Sequence, residues 1–158
     1  AEKVRVNLLA LLEKSIQKFK QIKGSGISFN LSCSEVIVVE VDPLESDLVL
    51  YNLFKNSLEA CKNESAPLIS ITVEESEQEA VIQIRDNGPE ISEDLVNSIF
   101  IPKVSQKTDG LGLGLSICKA LAESQGGSLT AIRNEQGHLV MKLCLPMAVP
   151  AKDIRKNQ

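Results

Sequence analysis

Apolar residues recur at helical spacing in several stretches of the chain, and these stretches predict its helices. The second predicted helix in chain order covers residues 42–62. It opens with an aspartate suited to cap a helix and a proline suited to the first helical position. Two shorter helices are predicted over residues 92–99 and 116–125. The first predicted helix in chain order covers residues 2–22, and its apolar side is formed by Leu8, Leu9, Leu12, Ile16 and Phe19.

Strand patterns fill the intervals between these helices. Alternating or β-branched apolar residues predict strands over 27–32, 36–41, 68–73, 80–85, 128–133 and 138–145. The connections 32–35 and 134–137 are short enough to join the first pair and the last pair of strands as hairpins. The predicted fold class is therefore α+β: a two-layer sandwich of a mixed, mostly antiparallel sheet with helices on one face.

Composition narrows the class of protein. The chain has 158 residues, a net charge of −4, 43% hydrophobic and 24% charged residues, which suits one globular domain with a normal core. The negative charge argues against nucleic acid as a partner. No apolar run reaches the roughly 18 residues that cross a bilayer, so no direct membrane contact is predicted. Four widely spaced cysteines and one histidine do not form a zinc pattern, which predicts reduced thiols.

Two asparagines lie four residues apart on the apolar side of the second predicted helix. Asn52 and Asn56 are mediocre helix formers, and a buried amide without a partner costs about 1–3 kcal/mol. The alternative is a pair of surface or capping asparagines. Two amides in register on the core-facing side indicate a function.

A carboxylate stands where the fourth predicted strand stops. Asp86 is followed by Asn87, Gly88 and Pro89, which is a turn composition. The end of a strand is a place where a rigid sheet positions a loop that carries function. Asp86 is therefore a candidate site residue.

Three glycines alternate with leucines immediately before the last predicted helix. Gly110, Gly112 and Gly114 indicate a backbone that bends sharply or approaches a ligand closely, although a flexible turn or tight helix packing is the alternative. Bare backbone N–H groups beside a helix N-terminus form a ready anion site. The run lacks the Gly-Lys pair of a P-loop and the preceding strand of a Rossmann fingerprint. It predicts a phosphate-binding loop of another kind.

Four motifs taken together resemble the ATP-binding domain of two-component sensor histidine kinases, a family of the GHKL superfamily. In chain order they resemble its N, G1, F and G2 boxes and cover residues 52–56, 86–88, 100–102 and 110–114. The resemblance implies a Bergerat-type ATP-binding fold. It also implies a domain over residues 1–147, in which 1–23 form a junction helix, followed by a polar tail, 148–158.

The resemblance implies that the domain binds ATP with Mg²⁺. Asn56 would coordinate the Mg²⁺ through its side-chain oxygen, and Asn52, one turn away, would support the phosphate and metal region. Asp86 would accept a hydrogen bond from the adenine amine, and Gly88 would let the backbone approach the base. The remaining nucleotide-binding residues would be Lys107, whose amine would reach the phosphates, and the backbone of Gly110, Leu111, Gly112, Leu113, Gly114 and Leu115.

The family also implies what happens to the ATP. The γ-phosphoryl group would pass to a histidine on a separate dimerisation domain of the same sensor kinase, and from there to a response regulator receiver domain. Superfamily members that hydrolyse ATP have a glutamate at the position of Asn52, and an amide cannot take a proton from water. His138, the one histidine, lies in the last predicted strand and is interpreted as structural. The implied location is cytoplasmic, including as the cytoplasmic part of a membrane-anchored sensor.

Two residues depart from the family pattern. Glu90 stands where the G1 box has a second glycine, and Glu59 stands where many members have a lysine. The side chain and negative charge of Glu90 would narrow the pocket or weaken nucleotide binding, and Glu59 cannot pair with phosphate as a lysine would. These residues keep a second hypothesis open, a degenerate nucleotide-binding or partner-docking module without turnover. A third hypothesis is an anti-sigma-type serine kinase, which shares the fold.

Overall fold

The computed structural model describes residues 2–24, 26–102 and 114–149. Most of the predicted polar tail lies outside the described residues. The same holds for five candidate nucleotide-binding residues, namely Lys107, Gly110, Leu111, Gly112 and Leu113.

Seven strands and four helices form the described part of the chain. In chain order they are β1 (Val4–Asn7), α1 (Leu8–Lys23), β2 (Ser28–Cys33), β3 (Val38–Val41), α2 (Pro43–Cys61), β4 (Leu68–Ser76), β5 (Glu79–Asp86), α3 (Glu93–Asn97), α4 (Leu115–Ser124), β6 (Ser128–Arg133) and β7 (Leu139–Pro146). Five strands form the main sheet in the order β2-β4-β5-β7-β6. In that sheet the β2–β4 pair is parallel and the other three pairs are antiparallel.

The main sheet has one apolar face and one more polar face. The register aligns Val73, Ile82, Leu143 and Leu129 across four strands, and all four are buried. The neighbouring row on the opposite face is polar and consists of Thr72, Gln83, Lys142 and Thr130. Buried residues of α1, α2 and α4 belong to the same core as the apolar row. This confirms the predicted α+β sandwich.

The start of α2 is formed as the sequence predicts. Asp42 caps the helix, and its Oδ1 accepts hydrogen bonds from the backbone N–H groups of Leu44 (2.9 Å) and Glu45 (3.1 Å). These bonds, above all the one from Glu45, hold the pKa of Asp42 below its usual range. The backbone N–H of Asp42 donates in turn to the Oε1 of buried Gln125, which ties the end of α4 to the start of α2.

The prediction of a helix over residues 2–22 is wrong in its first part. Val4–Asn7 is a strand that pairs antiparallel with β3, and α1 begins only at Leu8, capped by the side chain of Asn7. Val4 and Val6 lie opposite Val41 and Val39. Pairing with these valines outweighs the helical pattern because β-branched residues pack well across a strand pair. From Leu8 onward the predicted helix is confirmed.

The predicted hairpin of β2 and β3 is also wrong. β2 pairs in parallel with β4, and β3 pairs with β1 in a separate two-stranded sheet. A bridge between Val39 and Met147 links this small sheet to the end of β7. The connection after β2 is short enough for a hairpin, but the partners of each strand come from distant parts of the chain.

The four cysteines are free thiols, and three of them are buried. Burial raises the pKa of the Cys118 thiol to about 11 and also raises that of Cys61, where nearby Asp86 adds to the effect. Both side chains therefore behave as small apolar residues of the core rather than as nucleophiles.

Candidate functional site

Helix α2 carries both candidate asparagines. Asn52 is 4% exposed, and its Nδ2 donates to the carbonyl oxygen of Leu48, one turn earlier, at 2.8 Å. Asn56 is half-buried, and its side chain forms no hydrogen bond with the residues that the structure describes. The amide of Asn56 therefore keeps its oxygen available for a ligand at the edge of the core.

Asp86 ends β5 at a half-buried position. Its Oδ1 accepts a hydrogen bond from the backbone N–H of Gly88 at 2.8 Å. Burial raises the pKa of Asp86, while the Gly88 N–H and the nearby His138 oppose the rise. A carboxylate has acceptor sites on two oxygens, and Oδ2 accepts none from the described residues. Asp86 thus has one oxygen fixed by its own loop and one oxygen that can accept from a ligand.

Gly88 brings the loop that follows β5 against the end of α2. It is buried, and a Cβ at this position would collide with the carbonyl oxygen of Ala60 and lie 2.7 Å from Asp86 Oδ1. Asn56 and Ala60 lie one turn, about 6 Å, apart on the same helix. The structure therefore brings Asp86, Gly88 and the second half of α2 together, and glycine is needed at position 88 for this packing.

Asn87 holds the same loop to the start of β4, a role that the turn composition did not reveal. Its Oδ1 accepts from the backbone N–H of Leu68 at 2.9 Å, and its Nδ2 donates to the carbonyl oxygen of Ala66 at 2.8 Å. Its backbone N–H donates to the Leu68 carbonyl at 3.1 Å. Turn composition gives no signal of these side-chain bonds, because their partners lie 19 and 21 residues earlier in the chain.

No side chain among the described residues caps the N-terminus of α4. Gly114 occupies the capping position with φ −66° and ψ 155°, and the first turn contains no acidic residue. Leu115, the first helical residue, is partly buried against the core. The first backbone N–H groups of a helix have no partner within it, and the positive end of the helix dipole favours an anion there. The geometry suits the predicted phosphate end of the site.

Phe100, the aromatic residue of the third motif, packs beside α4. The Nζ of Lys119 lies 5.0 Å from the centroid of its ring and donates to the Leu129 carbonyl at 2.8 Å. One lysine therefore connects the segment after α3 with α4 and β6. Sequence analysis identified the phenylalanine and missed the lysine.

The two residues that depart from the family pattern both contact basic side chains. Glu59 Oε1 lies 2.7 Å from Lys62 Nζ on the exposed side of α2. Glu90 Oε1 lies 4.0 Å from Arg133 Nη2, at the hairpin between β6 and β7. Each negative charge therefore has a cation nearby.

Within residues 2–24, 26–102 and 114–149, no group of three or more His, Cys, Asp or Glu side chains could hold a metal ion. In the same residues, no helix has the length and apolar character needed to cross a bilayer.

The comparison with known proteins decides the family. Residues 41–149, from β3 to just beyond β7, match the model of the histidine kinase-, DNA gyrase B- and HSP90-like ATPases. The solved catalytic domain of histidine kinase ThkA is 32% identical, with a TM-score of 0.77, covering 92% of this chain and 96% of that one. The chain belongs to the family of histidine kinase catalytic domains. Its family of ATPases implies nucleotide binding, and the predicted resemblance is confirmed.

Curated relatives are sensor kinases that are much longer than this catalytic domain. Sensor histidine kinase ZraS of Escherichia coli is 29% identical over 150 residues, which are 94% of this chain and 32% of ZraS. Sensor protein KdpD of Clostridium acetobutylicum is 34% identical over 71% of this chain and 13% of KdpD. The chain thus spans about a third or less of the length of these relatives.

Proposed function

We propose that this catalytic domain binds Mg-ATP and donates the γ-phosphoryl group to a histidine on a separate dimerisation domain. The observation that carries the proposal is the packing of Gly88 on the Ala60 carbonyl. This packing brings the Asp86 carboxylate beside the helix that bears Asn52 and Asn56. The packing supports one site in which a base-binding acid and a metal-binding amide would be adjacent.

The Asp86 carboxylate selects adenine in this proposal. One oxygen is held by the Gly88 N–H, and the other accepts from the exocyclic amine of adenine. Guanine presents a carbonyl oxygen at that position, which would leave two acceptors facing each other. A site built to bind one hydrogen-bonding partner rejects an analogue that lacks it, because a buried polar group is then unpaired.

Asn56 is the proposed protein ligand of Mg²⁺. Its side-chain oxygen is a hard donor on a half-buried helix face, and Mg²⁺ is commonly held by one or two protein oxygens together with phosphates and water. Bound Mg²⁺ would neutralise charge on the phosphates. Asn52, restricted by its bond to the Leu48 carbonyl, supports this region of α2.

The phosphates belong, in this proposal, at the start of α4. Gly114 and Leu115 offer backbone without a competing side-chain cap. The assignments of Lys107 and of residues 110–113 to the phosphates stay predictions. Because Asn52 cannot act as a general base toward water, the site favours transfer to an acceptor over hydrolysis.

Partners follow from the relatives. A structure of histidine kinase ThkA in complex with response regulator protein TrrA matches this chain at 25% identity and a TM-score of 0.69, over 92% of this chain and 42% of that one. We propose an acceptor domain in the parent protein and a response regulator receiver domain as partners. We further propose a cytoplasmic location and a junction role for α1.

Calorimetric titration with Mg-ATP, followed by transfer of labelled γ-phosphate to candidate acceptor domains, tests the proposal. We expect binding and an acid-labile phosphohistidine product. An acid-stable product would indicate a serine kinase. No binding by the wild type, with no change for Asp86→Asn, would favour a docking module without turnover.

A further inference from the structure

We propose that Arg133 is a positioning residue for the base-binding end of the site. It holds the β5–α3 loop, residues 87–92, against the hairpin of β6 and β7 and thereby sharpens the preference for adenine over guanine. The inference rests on the proposed function, since it concerns how the Asp86 carboxylate is kept in place.

Both backbone groups of Ile91 are bonded to the hairpin. The N–H of Ile91 donates to the carbonyl oxygen of Gly137 at 2.8 Å. The carbonyl oxygen of Ile91 accepts from Arg133 Nε, also at 2.8 Å. Arg133 is the last residue of β6, so it joins the far end of the loop to the main sheet.

Gly137 makes room for a second contact of Arg133. Its φ is +87°, and a Cβ there would collide with Glu90 Oε1 and lie 3.0 Å from Arg133 Nη2. In the structure, Glu90 Oε1 lies 4.0 Å from Arg133 Nη2. The glutamate that replaces a family glycine therefore lies at the outer limit of ion-pair distance from Arg133, and the bond of Arg133 to Ile91 is the main attachment of the loop.

The hairpin tip, residues 134–138, also lines the same groove as Asp86. Asn134 Oδ1 accepts from the backbone N–H groups of Gln136 (3.0 Å) and His138 (2.9 Å), which fixes the shape of the tip. Asp86 lines one groove together with Asn134, Gln136 and His138. The loop is thus attached to β4 through Asn87 at its start and to the hairpin through Arg133 near its end.

This double attachment matters for selectivity because Asp86 discriminates only when its carboxylate is held still. A loop freed at Ile91 can shift so that a guanine carbonyl avoids the carboxylate, and the penalty for the wrong base then falls. The expected signature is a change in the ratio of ATP to GTP affinity, which a general loss of stability does not produce.

The test uses the full chain and measures Mg-ATP and Mg-GTP dissociation constants for Arg133→Ala, Arg133→Lys and Glu90→Ala. Losing the Arg133 bonds should weaken ATP binding about three- to tenfold and lower the ATP/GTP preference by a similar factor. The ATP affinity and ATP/GTP preference of Arg133→Lys should lie between those of the wild type and Arg133→Ala, because lysine lacks the planar guanidinium group. Glu90→Ala should change little, because the exposed ion pair is weak and the bond to Ile91 remains.

Arg5→Ala is the matched control. Arg5 is another exposed arginine that donates to a backbone carbonyl, that of Val149, at 2.7 Å, beyond the opposite end of β7. The Arg5→Ala substitution should leave the ATP/GTP preference unchanged. The proposal is overturned if Arg133→Ala keeps the wild-type preference, or if Arg5→Ala lowers it equally.

Amide hydrogen exchange of Ile91 provides a readout without nucleotide. Exchange at Ile91 should be faster in Arg133→Ala than in the wild type and unchanged in Arg5→Ala, because only the former loosens the bond to Gly137. Unaltered exchange would refute the attachment itself. Failure of the wild type to bind Mg-ATP would instead refute the proposed function, and the two failures are therefore distinguishable.

Discussion

The proposed base-binding end and the proposed phosphate-binding end of the site are built in opposite ways. At the base end, Asp86, Asn87 and Ile91 are held by hydrogen bonds to the loop itself, to β4 and to the β6–β7 hairpin. At the proposed phosphate end, α4 begins at Gly114, and no side chain of the described residues caps it. The start of α2 shows that this chain can close a helix end fully, since Asp42 does so there.

The difference teaches which part of recognition is already formed before a ligand arrives. In the proposed function, selectivity for the base needs a fixed acceptor, and the loop after Asp86 is bonded both to β4 and to the β6–β7 hairpin. Phosphate binding needs backbone N–H groups that have no hydrogen-bond partner within the protein. A side-chain cap at the start of the helix would occupy these N–H groups and compete with the phosphate. Substitutions that loosen the base end or cap the phosphate end therefore test this difference.

Replacing Asp86 by asparagine should have the largest effect. The amide can present a donor where the carboxylate accepted, and loss of a charge-assisted bond should weaken Mg-ATP binding roughly 10- to 100-fold. Calorimetric titrations with Mg-ATP and Mg-GTP measure this loss of affinity. Asp47→Asn is the control, because Asp47 bonds Ser15 and Lys18 between α1 and α2. Equal ATP affinity in Asp86→Asn and wild type would contradict the base contact.

Capping α4 with Gly114→Asp should weaken Mg-ATP binding about tenfold, because the new carboxylate competes with phosphate. The position accepts a side chain, since a Cβ added to Gly114 would meet Ser116 Oγ as its nearest neighbour, at 3.7 Å. Thermal unfolding should show a helix gain of a few tenths of a kcal/mol.

Two variants sharpen the Gly114 experiment. Gly114→Asn caps without a full charge and should weaken binding less. Asp42→Ala opens the closed start of α2 and should lower the melting temperature without changing ATP affinity. If Gly114→Asp binds Mg-ATP as tightly as the wild type, the phosphates do not lie at this helix end.

Asn56→Ala should weaken ATP binding about fivefold when Mg²⁺ is present and leave it unchanged in chelator, because the oxygen lost is a metal ligand. Titrations in the two buffers measure the difference. Asn30→Ala, on exposed β2 surface, serves as the control. An equal loss with and without Mg²⁺ would argue that Asn56 contacts the nucleotide directly.

Near neutral pH, the pH dependence of binding should be the smallest of these effects. Because burial raises the pKa of Asp86, the ionised acceptor is lost on acidification at a higher pH than for an ordinary carboxylate. The ratio of wild-type to Asp86→Asn affinity should therefore be constant near neutrality and shrink as the pH falls through that raised pKa. Titration of the nucleotide phosphates affects both proteins and therefore cancels in the ratio. A ratio that does not change with pH would contradict the role of Asp86 as the ionised acceptor.

Local signals predicted a large part of the fold. Asp42 and Pro43 mark the start of α2, and the turn 134–137 joins β6 and β7 as expected. Each of these features is decided within a few neighbouring residues. The early strands were mispaired because β1–β3 and β2–β4 join segments far apart in the chain, and such partners are chosen by packing.

The sequence by itself determined the family and the residue types at the proposed site: the two amides of α2, the acid at the end of β5 and the glycines before α4. Their chemistry is intrinsic to the side chains and the order of the motifs. Only the tertiary structure decided that Gly88 packs on Ala60 and that Glu90 lies beside Arg133. Such contacts depend on how separate elements meet, and no local pattern of residues specifies that meeting.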